Sequence, residues 1–276
     1  MKNQVEIIGK IIIALGVMFI SFVEVMAQNS GEFPVPLSDP NKRGKLRAHL
    51  NSGSITVKGM ARKDVLVKYS SPKDDDNNKH DKSTQDGLKR ISSGTMDLEV
   101  SENGNVVKAE SDAWNNQINL EIEVPSGFDV DVKTYNDGDL FVYGVQGEVV
   151  ITNYNGEIKA ENISGSVVAS TYNGEIKVTF DKVTEGTPMS FLTYNGDIDL
   201  TFPATLKASL KMKTEQGEVL SGFDMNLIKG GPITKTDSKS GTYKVKIDEW
   251  VKGDVNGGGP EFTIKNYNGD IKVRKK

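Results

Sequence analysis

Few side chains in this 276-residue chain are of the kinds that carry covalent chemistry. There is no cysteine, and the only histidines are His49 and His80. Thiolate catalysis, cysteine metal sites and disulfides are therefore excluded together. No Gly-x-Ser-x-Gly elbow offers a serine nucleophile to either imidazole. His49 reads as a strand or surface residue, and His80 falls in the charged run Lys73–Asp81. In that run Asp74, Asp76 and Asn78 copy the opening spacing of a calcium loop. The sixth position, where the turn needs glycine, is Lys79, and the twelfth, where a bidentate glutamate is needed, is Gln85. Neither a metal site nor a cofactor is expected.

Carboxylates and tyrosines are the remaining candidates, and both recur in one repeated phrase. Its copies are Thr134-Tyr135-Asn136-Asp137-Gly138-Asp139-Leu140, Asn153-Tyr154-Asn155-Gly156-Glu157-Ile158, Thr171-Tyr172-Asn173-Gly174-Glu175-Ile176, Thr193-Tyr194-Asn195-Gly196-Asp197-Ile198 and Asn266-Tyr267-Asn268-Gly269-Asp270-Ile271. Glu157, Glu175 and Asp197, with Lys159 and Lys177, fall on one outer face. Acid pairs on a parallel β-helix can serve glycan hydrolysis or elimination. These acids obey the repeat, however, whereas a catalytic site usually breaks one, and alternating charges also form a solvated ladder that keeps a repeat soluble. Tyr135, Tyr154, Tyr172, Tyr194 and Tyr267 are the candidate ligand- or partner-binding residues. Stacked coils would align at least Tyr154, Tyr172 and Tyr194 in a column able to bind sugars or a protein. The competing reading is a corner ladder of rings packed on one another.

The element that positions these residues is a short strand. Gly138, Gly147, Gly156, Gly165 and Gly174 recur every nine residues, each followed by a polar, then an aliphatic residue. Side chains alternate, so Leu140, Val142, Val149, Ile151, Ile158, Ala160, Ile176, Val178, Ile198 and Leu200 should point inward. Asn-Gly tolerates positive φ and permits a sharp turn at each corner. Either a β-solenoid or an antiparallel meander of hairpins can use these turns; the same-sense pattern after every glycine favours the solenoid. Val150 and Val168 point outward where lysines stand in the tyrosine-bearing halves, which makes that face a covered layer or an exposed patch. The copy at Tyr267 would close the stack.

Residues 1–27 read as a secretory signal peptide, with an apolar run at Ile11–Phe22 ahead of Val25-Met26-Ala27. The remainder divides into an N-terminal extension, 28–45, and one β-strand-repeat solenoid domain, 46–276. Within the domain, 71–93 reads as a mobile charged loop. No later stretch is apolar enough to span a membrane, and a net charge of −4 gives no electrostatic reason to bind nucleic acid. Without a cysteine the exported chain is not expected to be a lipoprotein.

The Tyr-Asn-Gly-Asp/Glu-Ile copies, the Ile122-Glu123-Val124-Pro125 segment before them and the export signal together resemble the exported bacterial β-strand-repeat proteins called putative adhesins, over about Leu46 to Val273. The resemblance implies a β-helix-like solenoid at the cell envelope and supplies no catalytic residues. The expectation is an all-β, single-domain β-solenoid in the periplasm or at the cell surface. It would be non-enzymatic and bind a glycan or an envelope protein through a repetitive face. The alternatives are a polysaccharide-acting lyase or hydrolase on a parallel β-helix, and a purely structural envelope component.

Overall fold

A computed structural model of the protein describes residues 30–71, 97–114, 116–136, 138–228, 233–237, 242–246 and 250–276. The expected signal peptide, the calcium-like spacing, His80 and nearly all of the 71–93 loop lie outside these residues. The described residues contain strands and turns and no helix. In chain order the strands are β1 (Ser30–Pro36), β2 (Lys45–Ser52), β3 (Ile55–Met60), β4 (Asp64–Ser70), β5 (Glu99–Asn103), β6 (Val106–Ser111), β7 (Asn119–Pro125), β8 (Asp129–Asn136), β9 (Leu140–Tyr143), β10 (Glu148–Thr152) and β11 (Ile158–Ser170). There follow β12 (Ile176–Val183), β13 (Met189–Leu192), β14 (Ile198–Phe202), β15 (Ala208–Lys213), β16 (Val219–Ser221), β17 (Met225–Ile228), β18 (Ile233–Asp237), β19 (Thr242–Lys246), β20 (Val251–Val255), β21 (Glu261–Lys265) and β22 (Ile271–Lys275).

Alternation decides where each strand goes. A strand with one apolar face must bury it, and here consecutive short strands bury theirs against each other across a thin core. One face is the ladder β1–β4–β7–β3–β9–β11–β12–β14–β22–β16, and the other is β5–β6–β2–β8–β10–β11–β13–β21–β15–β20–β17. The long β11 turns from the first ladder into the second, its Ile158–Glu161 half pairing with β9 and its Ser166–Ser170 half with β10. All central pairings are parallel, so the chain winds as a β-solenoid and not as hairpins. Leu140, Val142, Val149, Ile151, Ile158, Ala160, Ile176, Val178, Ile198 and Leu200 are all buried. Behind them Phe180 stacks on Phe202, with ring centres 4.8 Å apart. Burying each such side chain contributes roughly 1.5–3 kcal/mol.

Chain order and stacking order differ at both ends. The coil β2–β3 lies between β6–β7 and β8–β9. Likewise β21–β22 lies between β13–β14 and β15–β16. The copy at Tyr267 therefore does not close the stack; it is inserted next to last. The pattern Thr214-Glu215-Gln216-Gly217, a copy without tyrosine, takes the outer place because its Gln216 still bridges to Asn268. Antiparallel strands cover both ends: β1, β4 and β5 at one, β20 and β17 at the other. The outermost β1 carries Pro34 and Pro36, which lack the N–H a further strand would need.

Glycine at the corner is required by the stacking itself. Gly156, Gly174, Gly196 and Gly269 all have positive φ, and each lies against the glycine carbonyl of the neighbouring coil, where any Cβ would overlap the oxygen. Asn155, Asn173, Asn195 and Asn268 are not in the left-handed region. The expectation that Asn supplies positive φ is thus corrected: only the glycine turns the corner that way. Gly174→Ala should destabilise the protein by about 2 kcal/mol or more, since its Cβ would meet rigid backbone. Gly127→Ala, where a Cβ meets nothing within 4 Å, should change stability by less than about 0.5 kcal/mol. Denaturant unfolding of the two variants checks the pair.

Candidate binding surface

Each position of the repeated phrase makes its own ladder along the solenoid axis. The first residue caps the neighbouring glycine: Thr134 Oγ1 donates to the Gly53 carbonyl (2.8 Å), Asn153 Nδ2 to Gly138 (2.9 Å), Thr193 Oγ1 to Gly174 (3.0 Å) and Asn266 Nδ2 to Gly196 (3.0 Å). Thr and Asn are interchangeable here because both offer one short donor. The third residue builds an amide ladder. Asn173 Nδ2 donates to Asn155 Oδ1 (2.8 Å), Asn195 to Asn173 (2.7 Å) and Asn268 to Asn195 (2.6 Å). The steps span 18 residues and then 22, so the ladder tolerates an insertion elsewhere in the coil.

The acid after the glycine also serves the stack. Asp139, Asp197 and Asp270 accept from the backbone N–H of Glu157 (2.8 Å), Asp270 (2.9 Å) and Glu218 (3.0 Å). Asp139, Glu157, Glu175, Asp197, Asp270 and Glu218 thus follow one another in a row beside the corner. Asp197 also accepts from Lys272 Nζ at 2.6 Å. Lys159, two residues beyond Glu157, instead pairs with Glu161 at 3.1 Å.

Tyrosine, the second residue, stacks. Backbone N–H groups of Tyr172, Tyr194 and Tyr267 donate to the carbonyls of Tyr154, Tyr172 and Tyr194 at 3.2–3.3 Å, which fixes the step between rings. Ring centres from Tyr135 through Tyr154, Tyr172 and Tyr194 to Tyr267 are 4.8, 5.2, 4.9 and 4.8 Å apart, with planes within 8° of parallel. All five sequence-derived candidates therefore lie in one ridge, about 20 Å long at this strand spacing. Each ring is 38–42% exposed. Because the faces cover one another, the ridge offers ring edges and hydroxyls to solvent.

Sequence reasoning missed the ridge's end. Trp114, in the turn between β6 and β7, packs against Tyr135 at 5.5 Å with its plane at 76°, and it is 58% exposed. Nothing in the repeat points to it, because it precedes the first copy and belongs to a connecting turn. On the ridge's other flank Val150, Val168, Ser190 and Thr263 form one outward row, which ends on Asp131 and Lys211, and Thr152, Ser170 and Leu192 form another, bracketed by Lys133 and Lys265. Among the described residues no further layer covers Val168, which is 41% exposed.

Elsewhere His49 faces Asp131 (Nε2–Oδ1 3.5 Å) and Glu110 (4.0 Å) on the outside of β2. Where the repeat lengthens, Thr184–Gly186, Pro203–Lys207 and Gly258–Pro260 border an open cleft of about 510 Å³. Its Asp181 is held by Lys276 at 2.7 Å.

The Lys272 hydrogen bond, aided by the Asp270 N–H, holds the Asp197 carboxyl below the usual aspartate range, and the same bond raises Lys272. A lowered native pKa contributes stability that is complete above the unfolded value, near pH 4, and is lost as pH falls through the native one. Asp197→Asn should therefore melt slightly below wild type at pH 7, by less than about 1 kcal/mol for so exposed a pair. The two melting curves should converge as the pH is lowered toward about 2. Thermal unfolding across that range checks the sign.

Among solved structures, a putative cell adhesion protein from Clostridium sporogenes ATCC 15579 is similar at 12% identity, covering 90% of this chain and 99% of that one with a TM-score of 0.44. A putative adhesin from Bacteroides fragilis NCTC 9343 is similar at 10% identity, covering 88% of this chain and 95% of that one with a TM-score of 0.37. No curated protein matches the chain. The Toastrack DUF4097 family model matches residues 17–274, nearly the whole chain, and the protein, all-β and solenoid-like, belongs to that family.

Proposed function

We propose that the chain is a non-enzymatic interaction module, exported to the periplasm or the cell surface, that binds a glycan or an envelope protein along its tyrosine ridge. The observation carrying this reading is the ridge itself. The capping Thr or Asn, the ladder Asn, the corner Gly and the buried Ile each meet a requirement of the stack. Tyrosine stacks on its own copies, and each of the five residues stays about two-fifths exposed. A hydrophobic body with a wet polar tip is the composition favoured at contact surfaces. The repeat-obeying acids support a non-catalytic reading, because several of them accept backbone N–H groups of the next coil.

The contact surface extends from the ridge over Thr152, Ser170 and Leu192, between Lys133 and Lys265. It is flat and multivalent, which suits a ligand that is itself extended. Export rests on the amino-terminal signal pattern.

Labelled protein should bind a glycan array or intact cells, and Tyr172→Ala with Tyr194→Ala should weaken that binding at least about ten-fold. The double variant must keep the wild-type circular dichroism spectrum. Unchanged binding in a folded double variant would sink the ridge as the contact surface. Protease shaving of intact cells separates surface display from periplasmic residence.

A further inference from the structure

We propose that the ridge is a row of subsites for a linear β-1,4-linked glycan, anchored on the exposed Trp114. This rests on the ridge being the contact surface and adds the ligand class and the anchor. Ring faces normally receive the C–H face of a sugar, but here the phenol faces are stacked on each other. Trp114 differs: its plane stands 76° to that of Tyr135, so the indole face runs along the axis of the ridge, and more than half of the residue is exposed. One largely exposed aromatic residue followed by a file of phenol hydroxyls is chemistry for a sugar chain. The first sugar lies on the indole, and later sugars exchange hydrogen bonds with hydroxyls.

Spacing discriminates among polymers. The hydroxyl-bearing rings recur at 4.8–5.2 Å. An extended peptide presents same-side groups about every 6.7 Å and falls out of step at once. An α-helix, at about 5.4 Å per turn, drifts by about 2 Å over the four intervals. Stacked bases advance about 3.4 Å. A β-1,4-linked glycan advances by close to one ring spacing per sugar with successive sugars flipped, so its same-side groups keep step with every second ring. Asp139, Glu157, Glu175, Asp197 and Asp270 run along one flank. The other flank is uncharged at Thr152, Ser170 and Leu192 and is closed by Lys133 beside Tyr135 and Lys265 beside Tyr267. A second copy of the chain would share the strand spacing, and self-association is therefore one outcome of the test.

The test is calorimetric titration of the purified protein with cello- and chito-oligosaccharides of increasing length, with sedimentation of the protein alone. Affinity should rise with length to about six sugars, one per aromatic residue of the ridge, and then level. Trp114→Ala should lower it at least about ten-fold. Tyr172→Phe with Tyr194→Phe, which keeps the rings stacked and removes only hydroxyls, should lower it about three- to ten-fold with an unchanged melting curve. Oligosaccharide binding that ignores both variants overturns the site. No oligosaccharide binding, with array or cell binding still lost in the alanine double variant, overturns the glycan assignment and leaves the ridge as the contact surface. Self-association abolished by the phenylalanine pair assigns the ridge to a second copy and overturns the glycan proposal as well.

Discussion

The distance of closest approach between successive corner glycines governs this molecule. Gly174 lies directly on the Gly156 carbonyl, and Gly196 on that of Gly174, with no room for a Cβ between them. That contact sets the coil-to-coil step to the spacing of hydrogen-bonded strands. Once the corner is fixed, the side chains on either side of it must repeat at the same step. The amide ladder, the capped glycine carbonyls and the stacked phenols are all consequences of one approach distance.

The same constraint explains how the described residues hold together without disulfides or helices. Backbone ladders run through every coil, and the buried rows of Ile, Leu, Val and Phe supply a core that is long and thin. A stack of this kind has two weak points, its ends, because an uncovered coil presents unpaired N–H and C=O groups. Here both ends carry antiparallel strands, and at both the next-to-last coil is threaded in out of chain order. Inserting β21–β22 between β13–β14 and β15–β16 ties the carboxyl-terminal segment to strands more than fifty residues earlier. Such long-range pairings form late and slowly in folding.

Much of this was legible in the sequence. The nine-residue glycine step and the alternation after it imply short parallel strands, and each inward-facing residue named from alternation is buried. The tyrosine column was legible for the same reason: a residue repeated at the same place in successive coils must stack. Three features were not. The asparagines looked like turn residues because Asn-Gly is a turn signal, whereas amide-to-amide bonds between coils become visible only when the coils are superposed. The insertion of the last coil was hidden because a repeat reports that units stack and is silent about their order. Trp114 was missed because it lies in a connecting turn ahead of the repeat and reaches Tyr135 through the fold alone.

What remains after the structural roles are assigned is a ring position that the corner makes periodic and leaves wet. The account therefore stands or falls on whether ligand contacts follow that periodicity. Tyrosine-ring NMR signals of isotopically labelled protein, titrated with a linear β-1,4-linked oligosaccharide, measure this most directly. The account predicts shifts at Tyr135, Tyr154, Tyr172, Tyr194 and Tyr267 and at the Trp114 indole, with Tyr69 and Tyr143 unmoved. Shifts confined to Tyr69 or Tyr143, or no shift at any ridge tyrosine, would contradict it.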